Sequence, residues 1–452
     1  MPDSTGAERT AAPSRAVSGW TTALVCAAIV AGGVIVGGLL HEPQTELTTA
    51  PPTTTSAAPQ PTEQHTYVTP PVTYPTQIPG CAVVEPPGEG GLFGWAAVNE
   101  FGYDNPAYPW FSGPKAVAMS AALQQSLPEE IDLGFVPVGE SLFFQPILGD
   151  PDASPEAAKF GGFTHAQSTI LRGDRTGSLS VTVRGSGDPV PPCVAGQLDE
   201  RRVLDDGTTI DLDDTWSETD GVRTLSRTVT AYVPDGSRVT ATATDAPNGG
   251  EPTGSVPMTM DELIAVATTP GVRVSAPVPA GTPDPPETCS TSEVQTPVVD
   301  EATARRWGAV LAGVRLDGLV LDRPLGDLRP GGYGSGGVCQ EVRVSADGQQ
   351  SRLSVVITIE QGEPTVPQRP SESGDRVVTQ RELPDGTVVE SVESTTAVAR
   401  SGVPATELLR GVIVTHKSGN RIQVTSRAEA PAQPLSTAQL EAIALAPGLE
   451  VS

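Results

Sequence analysis

The chain has 452 residues and a formal charge of −26, with 28 Lys+Arg against 54 Asp+Glu. That length allows two or three domains, and the acidic balance argues against gripping nucleic-acid phosphates. Gly and Pro number 48 and 45, together below the roughly 25–30% that marks wholesale disorder, so a core in pieces is expected.

Residues 1–19 read as a cytoplasmic tail, because Trp20 to Leu40 is a run of 21 residues without a charge. At 1.5 Å per residue, such a helix crosses roughly 30 Å of hydrocarbon. Arg9 and Arg15 precede the run, and no Lys or Arg follows it before Lys115. The positive-inside rule then places the N-terminus in the cytoplasm and everything beyond Leu40 outside. The run is longer than a signal-peptide core and no A-x-A site follows it, so an uncleaved anchor in the lipid bilayer is expected. Gly33 and Gly37 have the spacing of a helix-dimerisation pair, but Gly is common in membrane helices, and the oligomeric state stays open. Residues 41–80 hold 9 Pro and 11 Thr and almost no large apolar side chain. They are expected to form a disordered stalk, about 120 Å long if extended.

A first folded domain is expected over 81–276. Near its start, Leu92 to Pro114 carries Phe93, Trp95, Phe101, Tyr103, Tyr108, Trp110 and Phe111, 7 of the chain's 19 aromatics. Two readings compete. In one, the segment is an arm packed on the first sheet, since exposing so many aromatics is costly. In the other, Trp95, Tyr103 and Trp110 contact a partner. Ser112-Gly-Pro-Lys115 then opens a helix that puts Ala116, Met119, Leu123 and Leu127 on one face. Its S-x-x-K spacing is that of acyl-serine enzymes, and Lys417-Ser-Gly419 is similar to their third motif. The middle motif is missing, however, and Lys417-Ser-Gly419 falls on a hairpin turn.

Strands are expected at 178–184, 200–204, 208–212, 222–233 and 237–244, with turns at Asp206-Gly207 and Asp235-Gly236. Asp205, Asp206, Asp211, Asp213, Asp214, Glu218 and Asp220 crowd one hairpin. Trp216 stands where a calcium loop needs Gly, so a solvated, charged edge is the expectation. Thr259 and Glu262 have the spacing of a capping box, and Met258 with Leu263 that of a hydrophobic staple, before a helix ended by Pro270-Gly271.

Residues 277–288 read as a Pro-rich linker to a second domain, 289–452. There Trp307, Val310, Leu311 and Val314 share a helix face. Strands are expected at 338–345, 351–360, 376–382, 387–392, 407–415 and 420–426, with turns at Asp385-Gly386 and Ser418-Gly419. Ser436 with Gln439, and Leu435 with Leu440, cap a closing helix that Pro447-Gly448 ends. Gly332-x-Gly334-x-x-Gly337 has dinucleotide spacing but precedes a strand, so it reads as a loop.

Segments 257–275 and 434–452 are identical at 8 of 19 positions. Matches around Leu179 and Leu353, Arg202 and Arg381, and Ser237 and Asn420 keep the same order. Two tandem copies of one α+β domain are expected, each an antiparallel, hairpin-built sheet with flanking helices.

Cys81, Cys193, Cys289 and Cys339 lie beyond the anchor, two per copy. An even count in an oxidising compartment reads as disulfides. Three pairings are open. Pairing within copies is the simplest, although the copies do not place their second Cys equivalently. No close Cys spacing suggests a metal site, and His165 and His416 have no partner at metal or triad spacing. No cofactor, metal or catalytic residue is therefore assigned.

The Pro-Leu-Ser-x-x-Gln-Leu-x-x-x-Ala-x-x-Pro run at 434–447, repeated in degenerate form from Pro257, resembles the C-terminal helix motif of actinobacterial membrane-anchored extracytoplasmic proteins of unknown function. The 25 Arg against 3 Lys suit a high-GC genome of that kind. The resemblance implies an envelope location and leaves activity open. The combined expectation is a non-catalytic, single-pass membrane protein presenting tandem domains to an envelope protein or wall polymer. The competing expectation is an envelope hydrolase with Ser112 as nucleophile and Lys115 as base.

Overall fold

The computed structural model describes residues 73–87, 99–100, 102–149, 162–291, 297–332, 336–346, 348–362, 371–373, 376–400 and 403–450. The expected tail and anchor, and the stalk up to residue 72, lie outside these residues. Among those described, no helix is long and apolar enough to cross a membrane.

Two antiparallel sheets with few helices make up the folded part, which is α+β in type and mostly β. The first sheet is built from β1 (Phe163–Arg172), β2 (Arg175–Gly185), β3 (Glu200–Val203), β4 (Thr209–Thr219), β5 (Val222–Tyr232) and β6 (Ser237–Thr244). The second uses β7 (Val338–Ala346), β8 (Gln349–Thr358), β9 (Arg376–Glu382), β10 (Val388–Arg400), β11 (Val403–Thr415) and β12 (Arg421–Glu429). Their main orders are β1-β2-β6-β5-β4-β3 and β7-β8-β12-β11-β10-β9. Strand by strand, the two orders correspond.

The alternation along each strand explains the layering. Leu179, Val181 and Val183 on β2, and Val239, Ala241 and Ala243 on β6, are fully buried. Their even-numbered neighbours point to the other face, as a period of two requires. Helix α1 (Gly113–Gln125) contributes Ala116, Met119 and Leu123 to this first core, and α2 (Met260–Thr268) contributes Leu263 and Val266. In the second core, Trp307 and Leu311 of α3 (Glu301–Ala312) meet Leu353, Val355, Val412, Val414, Ile422 and Val424, with Leu440 and Ile443 of α4 (Thr437–Ala444). Phe135, from the first half of the folded part, packs against the second core.

Four hairpin turns share one design. Gly207, Gly236, Gly386 and Gly419 each donate to the carbonyl three residues back. All four sit at φ near +80°, where a Cβ would be strained. Asp206, Asp235 and Asp385 each accept from the backbone N–H two residues on, at 2.8–2.9 Å. These are type I turns closed by a left-handed Gly.

Four parts of the fold depart from expectation. β1 has no counterpart among the expected strands, because three of its four inward positions, Thr164, Ala166 and Ser168, are small or polar, and only Ile170 is a large apolar residue. Two hairpins run further than expected. β3 pairs with β4 only over 209–212, and β6 meets β5 only from Ser226, so 213–215 forms a sheet edge and 216–225 projects as a two-stranded ribbon. Residues 395–400 of β10 and 403–406 of β11 do the same. Finally, the segment read as stalk to Gly80 is docked at its end. Ile78 is buried with Cys193 and Leu198, and Arg201 donates its backbone N–H to the Pro79 carbonyl.

Candidate functional site

The aromatic arm is placed in part. Trp95, Phe93 and Phe101 lie outside the residues whose side chains are described. Phe111 is 2% exposed, with Trp110 at 5.3 Å and Tyr103 at 6.0 Å between ring centroids. The Tyr103 hydroxyl donates to the Phe144 carbonyl at 3.2 Å. Tyr103, Tyr108 and Trp110 are partly buried against the first core.

Ser112 and Lys115 stand at the start of α1. The Ser112 hydroxyl caps the helix, accepting from the Lys115 backbone N–H at 3.3 Å. The Lys115 side chain runs elsewhere. Its amine donates to the Arg273 carbonyl at 3.0 Å and to the Ala276 carbonyl. The residue is 3% exposed. Burial lowers the amine to about 8, and the Asp235 carboxylate partly opposes that shift. A serine-activating base must reach the hydroxyl, and this amine's described bonds go to carbonyls instead.

Cys81 is bonded to Cys193, and Cys289 to Cys339. Two disulfides fit an oxidising, extracytoplasmic compartment. They close separations of 112 and 50 residues. In the chain-entropy model, each stabilises the fold by about 4–5 kcal/mol.

The acidic hairpin is largely paired. Asp211 holds Arg201 with two bonds of 2.6 and 2.7 Å, Asp214 meets Arg227 at 3.0 Å, and Glu218 meets Arg223 at 3.3 Å. Asp213 differs. Burial, then the charges of Asp199 and Asp214, raise it to about 6. Among the described residues, no group of three or more potential ligands is placed to hold a metal ion. His165 lies mid-strand on β1, and His416 opens the last hairpin turn with its Nδ1 3.2 Å from the Thr387 hydroxyl. The last Gly of the dinucleotide-like run, Gly337, precedes strand β7 and touches Thr358.

One surface has no antecedent among the candidates read from sequence. The outer face of the first sheet is lined with hydroxyls. Thr182, Thr240 and Thr230 lie side by side on β2, β6 and β5, then Ser180, Thr242 and Thr228, then Ser178, Thr244 and Ser226. Neighbours bond across strands, Ser178 with Thr244 at 2.8 Å and Thr228 with Thr242 at 3.1 Å. Each side chain is half-buried, as in an open sheet face. The flanking positions are also polar, with His165 and Gln167 on one side and Asp211, Asp213 and Thr215 on the other. The corresponding rows of the second sheet are mixed instead: Thr358, Arg421 and Thr415, then Val356, Gln423 and Ile413, then Ser354, Thr425 and Gly411. The signal is present in the sequence as Ser178-x-Ser180-x-Thr182 and Thr240-x-Thr242-x-Thr244. It goes unread because Thr is a common strand former on any solvated face.

No family model and no curated protein matches the chain. Among solved structures, it is similar at a TM-score of 0.14 and 12% identity to the di-domain ARO/CYC StfQ from the steffimycin biosynthetic pathway, over 75% of this chain and 85% of that one. A putative oleoyl thioesterase from Lactobacillus plantarum and the 12:0-ACP thioesterase from Umbellularia californica align at TM-scores of 0.10 and 0.09, with 11% and 10% identity. The first alignment spans 63% of this chain and 81% of that one, the second 64% and 80%.

Proposed function

We propose that this chain is a single-pass envelope protein whose folded part stands outside the membrane and binds a neutral, hydroxyl-rich wall polymer without turning it over. The hydroxyl face of the first sheet carries this reading. Rows repeat about every 4.8 Å across strands and about 6.8 Å along them. Each hydroxyl can both donate and accept, which suits a polyhydroxylated chain laid across the sheet. The nine positions of the three rows are all Ser or Thr, so a lipid or apolar partner has nothing there to bury. A polyanion would meet a chain of charge −26. We read the corresponding strand orders of the two sheets as the product of an internal duplication, after which their outer faces diverged.

Binding is tested with the purified whole chain sedimented with insoluble neutral wall polysaccharide. Thr240→Val with Thr242→Val keeps branched side chains and removes hydroxyls from two rows. The expected result is a drop in affinity of about tenfold or more, at roughly 1 kcal/mol for each lost hydrogen bond. Unchanged sedimentation would contradict the proposal. The competing hydrolase reading predicts covalent labelling by a β-lactam or fluorophosphonate probe that disappears in Ser112→Ala. We expect no labelling.

A further inference from the structure

The S-x-x-K element is tied to another part of the molecule. Chain segment 273–276, which follows α2 and leaves the first half, is held along its length. Val274 donates its N–H to the Ser237 hydroxyl at 2.9 Å, and the Ser275 hydroxyl donates to Asp235. At both ends of this segment, the buried Lys115 amine donates to carbonyls, those of Arg273 and Ala276. Nine residues later the same helix turn meets the chain again. Gly113 faces Pro285 so closely that a Cβ would lie 2.8 Å from the ring Cδ. Pro285 is itself buried.

The second half grips the linker from its other end. Arg323 donates to the Asp284 and Pro285 carbonyls at 3.1 and 3.2 Å. Arg343 holds Asp284 at 2.6 Å and Glu287 at 2.7 Å. The backbone of Glu287 also pairs with that of Glu341 on β7 in an antiparallel β-bridge. A Pro-rich segment of this length reads from sequence as a spacer. Here both its ends are bonded to folded elements, and residues 65–452 form one compact unit.

We propose that the first turn of α1, through Lys115 and Gly113, is a clamp that locks the linker and, together with the packing of Phe135 on the second core, makes the two halves a single rigid body. The role of Lys115 is then conformational, and the S-x-x-K spacing reflects a helix cap followed by a buried clamp. The clamp does not depend on what the sheets bind.

Limited proteolysis of the whole chain with a broad-specificity protease tests this. The wild type should resist cleavage within 277–288 and unfold in one transition. Lys115→Met fills the same space without donors, so cleavage there should rise about tenfold or more through local opening, and unfolding should split in two. Lys115→Gln, whose amide can still donate to the carbonyls, should fall between them. Gly113→Ala leaves the amine in place and pushes Pro285 away, so it should also expose the linker. That variant decides the matter should Lys115→Met fail to fold. Cleavage within about twofold of wild type in both variants, with a single transition, would overturn the proposal.

Discussion

A buried amine and a half-buried carboxylate give this protein two opposed pH responses. Lys115 loses its proton near 8 in the folded chain, against an ordinary value of 10.5. Between those values the unfolded state holds more protons, so stability rises with pH through that window. Asp213 behaves in the opposite sense. It titrates near 6 when folded, against an ordinary 3.8. The folded state holds more protons there, so stability falls as pH rises from the lower value to the upper. Urea unfolding from pH 4 to pH 10 should show both slopes. Lys115→Met should remove the alkaline rise and Asp213→Asn the acidic fall. A variant that keeps its slope would show that another group carries it. The sequence pointed to Lys115 through its spacing from Ser112, but its carbonyl partners lie 158 and 161 residues away. No local pattern reports such a partner.

Among the elements, those with a chemical marker at their ends were legible. Both capping boxes form, Thr259 with Glu262 and Ser436 with Gln439. The turns at Gly207, Gly236, Gly386 and Gly419 form where Asp-Gly or Ser-Gly occurs. Thr259→Ala and Ser436→Ala should each cost about 1 kcal/mol. Glu262→Ala should cost more than Thr259→Ala, because Glu262 also holds Arg172 through two bonds at 2.6 and 3.1 Å. Chemical denaturation of the three variants checks that order. The outgoing strands of the ribbons, on β4 and β10, were not legible beyond Leu212 and Val392, whereas the return strand from Val222 was. Past those points, among the described residues, only Leu225 packs against a core, so the apolar alternation that marks a strand stops although pairing continues. Trp216, at 43% exposure, with Arg223 stacked 3.9 Å above its ring, belongs to this region.

At the scale of the whole molecule, the repeated closing helix in the sequence led to the expectation of two like sheets; the orders of the six long strands correspond, while the short edge strands differ. The hydroxyl face was not anticipated, because it emerges only when β2, β6 and β5 are laid side by side. Segments 178–182 and 240–244 are remote in sequence, and their register fixes the rows. The linker likewise reads as a spacer until its contacts at both ends are known. Under our proposal, an anchor at residues 20–40, a spacer and a pair of sheets locked together would hold a binding face away from the bilayer. That account requires the folded part to mature in an oxidising compartment. The direct test is a thiol count on the whole chain, taken from its native membranes with thiols blocked at lysis and then denatured without reductant. Four of the five cysteines are paired, so the account predicts a single blocked thiol, at Cys26. Blocking of all five would place the folded part in a reducing compartment and contradict it.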